Sequence, residues 1–387
     1  MAETFIDAIG DLMRLQRWNA MPRIETWSEA ENIAYTTHIA YAVGKLRSLS
    51  DNQLVHVMTR ALLKSLNKHY LSDILVDTRE EIKKLKPDTW ERLVDYAATE
   101  TATLFPSEIF DHVRGYMTYK GDYKAEGKKE IEELIKFAQY KVAVRECQIN
   151  KPVYKKFYEP YVKKIKAKIE GELTQHLNFE GCYSKLREYP YKVENLKNLR
   201  RWNRVNRSVE TSVLGHTFIV ALLTLIVAKL YEKELKPKIN THPSYPAILR
   251  ALFHDVPETF TGDIIAPVKN IISKDSPTLM KQVENKMMNG FKKKMPLGVQ
   301  RDIDEHKLLE GLDDNAEPYT ISSLVRACDR LGVVLECLFE MEAGRASMEM
   351  TSAYSSYISR LQNSEWVFIR ELCTRVLLEH PKVLKRL

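Results

Sequence analysis

Residues that interrupt helices or form covalent crosslinks are scarce in this sequence. Its 387 residues include only 14 glycines and 15 prolines, which favours long helices over many tight turns. The five cysteines are odd in number and contain no CxxC pair. This excludes a disulfide framework and predicts free thiols in a reducing, cytoplasmic setting.

Long hydrophobic runs are also missing. The longest, Phe218–Ala228, is too short to span a bilayer and predicts a buried core helix. The first residues are amphipathic and do not resemble a secretory signal. We therefore expect a protein that is neither exported nor inserted in a membrane, and we expect it in the cytoplasm.

Positive charge is concentrated in one stretch of the chain. The net charge is +7, and residues 151–170 contain seven lysines, two glutamates and several aromatic residues. Such a stretch could follow a phosphate backbone while its aromatics stack on bases, which would make the protein a nucleic-acid binder. We favour a solvated helix face with its aromatics turned into the core, because helical spacing explains the pattern without a ligand.

The chain contains an internal duplication. Three blocks of the first half recur in the same order in the second half. They pair 17–46 with 201–230, 60–74 with 250–264, and 134–147 with 324–337. The shared residues include "RWN" at the start of the first block and "RAL" in the second. The sequence therefore predicts two copies of one helical unit.

Every residue of the second copy that could bind a metal ion is missing from the first copy, while the apolar residues are kept. Each candidate in the second copy is replaced in the first: His216 by Asn32, His254 by Lys64, Asp255 by Ser65, Glu258 by Lys68, and Asp329 by Gln139. Only Asp263 has a counterpart, Asp73. Residues that were lost together are expected to have been used together, so these side chains predict a joint site.

A divalent ion would suit this set. His216, His254, Asp255 and Asp329 offer two imidazoles and two carboxylates, ligands that suit Mn²⁺, Fe²⁺, Co²⁺, Ni²⁺ or Zn²⁺. Four ligands on an ion that accepts up to six leave room for water and a substrate oxygen. Because His254 and Asp255 are adjacent, the other two must approach from different helices, which predicts a site in the core of a helical bundle.

Glu258 is the candidate for proton transfer. It follows His254 by four residues and Asp255 by three, which would put all three on one helical face. Pro257 predicts that the helix kinks or ends there, which would put Glu258 on its last turn or just beyond.

Arg201 lies fifteen residues before His216, and Trp202 follows it. The arginine could bind phosphate, and the tryptophan could pack on a sugar or base. Their persistence as Arg17 and Trp18 in the first copy favours a structural role equally well.

The second half resembles the HD-domain metal-dependent phosphohydrolases, and more closely the bacterial 5′-deoxynucleotidases of the YfbR type. The matching motifs, over about residues 195–345, are "RW" before the first His, "HDxxE" at 254–258, "TGD" at 261–263 with "PVK" at 267–269, "IDEH" at 303–306 and "ACDRLGVVLECLFEMEAG" at 327–344. The chain departs from the family pattern at Leu214 and Gly215, where relatives usually carry Ser and Glu. Gly215 would remove a carboxylate from behind the metal site.

The resemblance implies an all-α fold of two tandem HD-like helical bundles. A degenerate first bundle (residues 1–170) would be joined by a connector (171–195) to a phosphohydrolase bundle (196–387). It also implies that one divalent ion, whether Co, Mn, Fe, Ni, Zn or Mg, is bound by His216, His254, Asp255 and Asp329. Because the relatives usually pair as dimers, the first bundle would act as a built-in partner, giving a pseudo-dimer within one chain.

By the same resemblance, the reaction would be hydrolysis of deoxyribonucleoside 5′-monophosphates to nucleoside and phosphate. Glu258 would act as acid and base and Asp263 would assist catalysis, while Arg201, Trp202 and Asp263 would contact the substrate.

Two alternatives remain open at this point, namely a dNTP triphosphohydrolase and a metal- and nucleotide-binding regulator with little turnover. A membrane partner is not expected.

Overall fold

The chain folds into helices that form two compact units, Met1–Tyr183 and Ser184–Leu387. The computed structural model describes residues 4–119, 127–235, 242–262, 264, 266–312 and 316–379. Within them no β-strand is formed, and the only extended pairings are two isolated bridges, Gln16 with Ser28 and Arg200 with Ser212. The prediction of an all-α protein is confirmed.

The described residues of the first unit form nine α-helices before the boundary and a tenth at it. They are α1 (Phe5–Arg14), α2 (Glu29–Leu46), α3 (Asp51–Leu63), α4 (Lys68–Leu71), α5 (Val76–Leu85), α6 (Pro87–Thr103), α7 (Phe110–Thr118), α8 (Lys128–Asn150), α9 (Lys155–Glu172) and α10 (Phe179–Ser184).

The second unit continues with helices that are mostly longer than one turn. They are α11 (Tyr189–Asn198), α12 (Val213–Leu230), α13 (Glu232–Leu235), α14 (Ser244–Phe253), α15 (Glu258–Thr261), α16 (Ala266–Asp275), α17 (Leu279–Lys292), α18 (Leu297–Glu305), α19 (Ile321–Glu342), α20 (Met348–Leu361) and α21 (Val367–Glu379).

The helices of the paired sequence blocks follow the same order in both units, although α13 of the second unit has no counterpart between α2 and α3. Helices α1, α2, α4 and α5 have the same lengths as α11, α12, α15 and α16 respectively. Trp18 and Trp202 both have a left-handed backbone, with φ of 55° and 57°, which a bulky side chain rarely adopts. A shared unfavourable conformation at equivalent positions shows that the local backbone was duplicated along with the sequence. The boundary between the units falls within the predicted connector, while the roles assigned to the predicted domains and the pseudo-dimer stay predictions.

Helix α12 is the most apolar helix of the second unit. It has 18 residues and a mean hydropathy of 2.1, so length and composition alone would allow it to cross a membrane. The apolar run Phe218–Ala228 therefore understates the length of the helix, and its shortness does not exclude a membrane span. Of its residues, 89% are buried, because the helix packs against α14 and α19. Its apolar sequence is therefore that of a core helix, as predicted.

The lysine-rich stretch forms α9, with its aromatics divided between core and surface. Tyr158 and Val162 are buried against Cys147, and Trp18 packs on the edge of this cluster. Lysines on the same helix form ion pairs, among them Lys164 with Asp77 at 2.9 Å. This is the arrangement of a solvated helix face, the interpretation that the sequence favours.

All five cysteines are buried free thiols. Burial raises the pKa of Cys328 and of Cys373 to about 12, so these thiols stay protonated at neutral pH.

Candidate metal centre

Three helices of the second unit bring the predicted ligands together. His216 lies in the first turn of α12, where the Ser212 side chain caps the helix by accepting from the Gly215 backbone N–H at 3.1 Å. His254 and Asp255 follow the last residue of α14, and Asp329 lies on α19. Since α12, α14 and α19 pack on one another, residues far apart in the chain meet in the core of one bundle.

The ligand atoms lie close enough to share one ion. His216, His254 and Asp255 each have a ligand atom within 4.8 Å of the other two. The fourth predicted ligand, Asp329, adjoins this group through His216, with Asp329 Oδ1 3.0 Å from His216 Nε2. Their assignment as metal ligands stays a prediction.

The orientation of His254 leaves one ring nitrogen available. Its Nδ1 lies 2.6 Å from the Ala251 carbonyl oxygen, and because a carbonyl can only accept, this nitrogen carries the proton. Nε2 then presents a lone pair to the cluster, as in histidines that bind metals. Both His254 Nε2 and Asp255 Oδ2 are buried without a hydrogen bond, although they lie 3.2 Å apart. A divalent ion would satisfy both atoms, so the residues present fit such an ion.

Glu336 is a functional candidate that the sequence analysis missed. This fully buried carboxylate on α19 lies 2.8 Å from His216 Nδ1. It also accepts from Trp202 Nε1 at 2.8 Å and pairs with Arg201 Nε at 3.0 Å. A carboxylate that accepts from Nδ1 holds the imidazole in one orientation and directs Nε2 at the cluster.

A signal for Glu336 was present in the repeat. Its counterpart is Glu146, which accepts from Arg17 Nε at 2.8 Å and from Trp18 Nε1 at 2.6 Å. Because this carboxylate is common to both copies, it does not appear among the residues that differ between them. Glu336 therefore belongs to the shared frame of the unit, to which the second copy adds His216.

The contacts of Arg201 and Trp202 explain why this pair persists in the first unit. Both side chains bind Glu336, as Arg17 and Trp18 bind Glu146. The Arg201 Nη1 atom also lies 3.9 Å from Asp255 Oδ2, at the edge of the cluster. The structural role of Arg201 and Trp202 is to bind Glu336. Their contact with substrate stays a prediction.

The electrostatics of the cluster favour a bound cation. Burial raises the pKa of Asp329 and of Asp255, but the neighbouring histidines and Arg201 outweigh it and hold both pKa values below the ordinary aspartate range. Burial and Arg201 lower the pKa of His216, yet Glu336 and Asp329 outweigh them and raise it to about 9. The carboxylates are thus ionised at neutral pH, and His216 takes up a proton where a metal ion would otherwise supply the positive charge.

Gly332 makes room for His216. A Cβ added at Gly332 would lie 2.9 Å from His216 Cε1 and 3.3 Å from His216 Nδ1. The first copy carries Val142 at this position, opposite the smaller Asn32. The glycine on α19 and the histidine on α12 are therefore a matched pair, and this is a second feature that the sequence analysis missed.

Glu258 lies just beyond the end of the preceding helix, one of the two positions that the helix break expected at Pro257 allows. Helix α14 ends at Phe253, and Glu258 begins the separate short helix α15 rather than sharing a helical face with His254 and Asp255. Pro257 has no N–H to donate. The intervening turn is held by hydrogen bonds between residues three apart in the chain, Val256 N to Phe253 O and Glu258 N to Asp255 O, both 3.0 Å. The first unit has the same turn with Asn67 in place of proline, so the proline suits the break without being its cause.

Two further predictions concern Asp263 and the position of Gly215. Asp263 lies outside the described residues, so its predicted roles stay predictions. In the first unit, Glu31 at the position of Gly215 accepts from the Ser28 backbone N–H at 2.7 Å and closes a capping box. The carboxylate missing at Gly215 is therefore one that caps a helix in the first unit, whereas the carboxylate behind His216 is Glu336.

Comparisons with known proteins agree with the motifs of the second half. Residues 188–377 match the family model described as 5′-deoxynucleotidase YfbR-like. A 5′-deoxynucleotidase of Pectobacterium atrosepticum is 25% identical over 172 residues, which are 44% of this chain and 82% of the relative. A 5′-deoxynucleotidase of Escherichia coli is 26% identical over 155 residues, which are 39% of this chain and 72% of the relative.

Solved structures give weaker matches. An HD-domain phosphohydrolase from Listeria innocua has a TM-score of 0.36 and 18% identity, covering 52% of this chain and 89% of its own. A protein from Pyrococcus horikoshii has a TM-score of 0.34 and 21% identity, covering 49% of this chain and 96% of its own. The family match and the sequence relatives confirm the resemblance: the second half of this chain is similar to the YfbR-like 5′-deoxynucleotidases, a group of hydrolases.

Proposed function

We propose that the second unit hydrolyses deoxyribonucleoside 5′-monophosphates to deoxynucleoside and phosphate, using one divalent ion held by His216, His254, Asp255 and Asp329. The observation that carries the proposal is the buried cluster in which two imidazoles and an aspartate have ligand atoms within 4.8 Å of one another. The similarity of residues 188–377 to 5′-deoxynucleotidases supports the substrate class.

The ligand set limits the ion. Imidazole nitrogens with carboxylate oxygens suit Mn²⁺, Fe²⁺, Co²⁺, Ni²⁺ or Zn²⁺ better than Mg²⁺, which prefers oxygen ligands alone. When bound, such an ion would acidify a water molecule and offset negative charge on a phosphoryl oxygen.

The remaining residues position and protonate the reacting groups. In the hydrolysis, the bond between phosphorus and O5′ breaks, a water oxygen bonds to phosphorus, and O5′ must gain a proton. Glu258, at the start of α15 and close enough to raise the pKa of Arg201, is the group we assign to that proton transfer. Arg201 is held by Glu336, so it can contribute a fixed positive charge at the edge of the site.

The test measures phosphate release from dNMPs, rNMPs and dNTPs with Mn²⁺ or Co²⁺, comparing the wild type with Glu258→Gln. We expect phosphate from dNMPs, with a rate about 10²–10⁴-fold lower in the variant, as is usual when a general acid or base is lost. Metal binding should be retained in Glu258→Gln. The exposed Glu371 on α21 supplies the matched control, and Glu371→Gln should keep full activity.

Other outcomes would change the assignment. Release of triphosphate from dNTPs would make the protein a dNTP triphosphohydrolase. Metal binding without turnover of any nucleotide would favour the regulator, and activity unchanged in Glu258→Gln would remove this residue from the mechanism.

We further infer a small-molecule substrate in the cytoplasm, with neither nucleic acid nor membrane as a partner. The five buried thiols and the paired lysines of α9 support this inference.

A further inference from the structure

The first unit contains a cavity at the place where the second unit carries its metal site. Its volume is about 310 Å³, at the lower end of the range for small-molecule pockets. It is lined by Lys64, Ser65, Lys68 and Gln139, the counterparts of His254, Asp255, Glu258 and Asp329. The positions that offer a metal ion its ligands in one unit therefore surround a cavity in the other.

The substitutions reverse the charge of these positions. Three carboxylates and a histidine in the second unit correspond to two lysines, a serine and a glutamine in the first. Such a set cannot hold a divalent ion, because ammonium groups repel it and supply no lone pair while charged. In the first unit, Lys64 and Lys68 supply the positive charge that a metal ion would supply in the second.

The wall of the cavity carries more cations than acids. The lining cations are Arg17, Lys64, Lys68, Arg79, Lys164 and Lys168, and the lining acids are Glu29 and Asp73. The carboxylates that pair with several of these cations do not line the cavity; Glu132, for example, binds Lys64 Nζ at 2.8 Å from outside the lining. Lys64, Lys164 and Lys168 thus pair with carboxylates outside the lining. Glu29, which pairs with Arg17 and Lys68, lines the cavity itself.

Two of these cations, Arg17 and Lys68, share one carboxylate, and a third, Arg79, has an N–H group that makes no hydrogen bond. Arg17 Nη1 and Lys68 Nζ both lie 2.8 Å from Glu29 Oε2. Arg79 Nε is buried without a hydrogen bond. Burial and the neighbouring Arg60 and Lys136 outweigh Glu132 and lower the pKa of Lys64 to about 8. An anion in the cavity would accept from these donors and stabilise their charged forms.

Aromatic side chains complete the wall. Trp18, Trp90, Tyr140 and Tyr161 line the cavity with the cations, and Trp18 and Tyr161 are packed edge to face at 5.4 Å. Cations beside aromatic faces suit a ligand with a phosphate at one end and a planar ring at the other.

We propose that the cavity of the first unit binds a mononucleotide without a metal ion, with Lys64, Lys68 and Arg79 facing the phosphate and the aromatic wall facing the base. The site does not depend on hydrolysis by the second unit, because none of its residues belongs to that unit. It would be a binding site that arose from a catalytic one when the metal ligands were replaced by cations.

The test is calorimetric titration of the full chain with dAMP in the presence of EDTA, which removes metal-dependent binding. Inorganic phosphate and deoxyadenosine are titrated in parallel. We expect dAMP to bind, phosphate to bind at least tenfold more weakly, and deoxyadenosine to give no measurable binding. Asp255→Asn, which disables the proposed metal centre, should bind dAMP as the wild type does.

Variants of the cavity decide the location. We expect Lys68→Met to weaken dAMP binding at least tenfold and Arg79→Met to weaken it several-fold. Because Arg79 Nε has no hydrogen bond to lose, the second variant remains informative even if Lys68→Met fails to fold. Lys166→Met, an exposed lysine on α9 outside the lining, is the control and should bind normally.

Three results would overturn the proposal. They are no binding of dAMP by the wild type in EDTA, binding that survives Arg79→Met and Lys68→Met unchanged, and binding that is lost in Asp255→Asn. Equal affinities for phosphate and dAMP would overturn the assignment of a mononucleotide. None of these measurements uses catalytic activity, so failure here is distinct from failure of the proposed hydrolysis.

Discussion

At the residue scale, the feature that organises the second unit is a buried carboxylate used for more than one contact. Glu336 holds His216 and also accepts from Arg201 and Trp202. Its counterpart in the first unit keeps the arginine and tryptophan and, in place of the histidine, accepts from Asn32 Nδ2 at 2.8 Å. One frame thus supports either an imidazole or an amide, and of the two the imidazole is the ligand that suits the transition-metal ions proposed for this site.

Glu336→Gln should separate this orienting role from a purely structural one. An amide can still accept a hydrogen bond but no longer draws the proton of His216 Nδ1 electrostatically, so we expect metal affinity to fall about 10–100-fold. Competition with a chromophoric chelator measures this affinity.

Glu146→Gln in the first unit is the matched control, because it loses the same contacts to an arginine and a tryptophan. It should change thermal stability without changing metal affinity. Equal losses of metal affinity in the two variants would show that the effect is a general destabilisation.

Gly332→Ala should disturb the same imidazole through its size. The new Cβ would lie 2.9 Å from His216 Cε1, so the ring or α19 must shift. We expect a loss of about 1–3 kcal/mol in the free energy of unfolding and weaker metal binding, measured by urea denaturation and metal titration.

Gly290 on α17 is the comparison, since a Cβ there has no neighbour within 4 Å. Gly290→Ala should stabilise the protein by about 0.4–1 kcal/mol through the entropy of the unfolded chain. A Gly332→Ala variant that is as stable as the wild type and binds metal normally would contradict the proposed pairing with His216.

At the scale of elements, the helices followed from the sequence more closely than their ends did. The apolar frame shared by the two copies predicted helical units, and four helix pairs have equal lengths. The break between α14 and α15 was assigned to Pro257, yet the first unit makes the same turn without a proline. Packing within the unit, and not the intrinsic preference of one residue, accounts for a break that both copies share.

At the scale of the whole molecule, the duplication separates a shared frame from two different sites. The second unit concentrates carboxylates and histidines, and the first concentrates cations around a cavity of about 310 Å³. We interpret this as divergence of one ancestral site into two sites of opposite charge.

The pseudo-dimer hypothesis belongs to this scale. If the first unit replaces the partner that related proteins recruit from a second chain, the full chain should be a monomer in solution. Light scattering coupled to size exclusion measures the mass over a range of concentrations. A tight dimer in which first and second units pair between chains would refute the hypothesis.

The proposed metal-binding chemistry can be inferred from the sequence because it depends on residue type, and the absence of His216, His254, Asp255 and Asp329 from the first copy marks these residues as a group. The parts played by Glu336 and Gly332 were not evident, since they depend on which face of α19 meets α12, a contact between residues 120 positions apart. The cavity of the first unit was hidden for a similar reason. Lysines that look like ordinary surface charges in the sequence become a candidate binding site only when folding places Lys64, Lys68, Lys164 and Lys168 around one cavity.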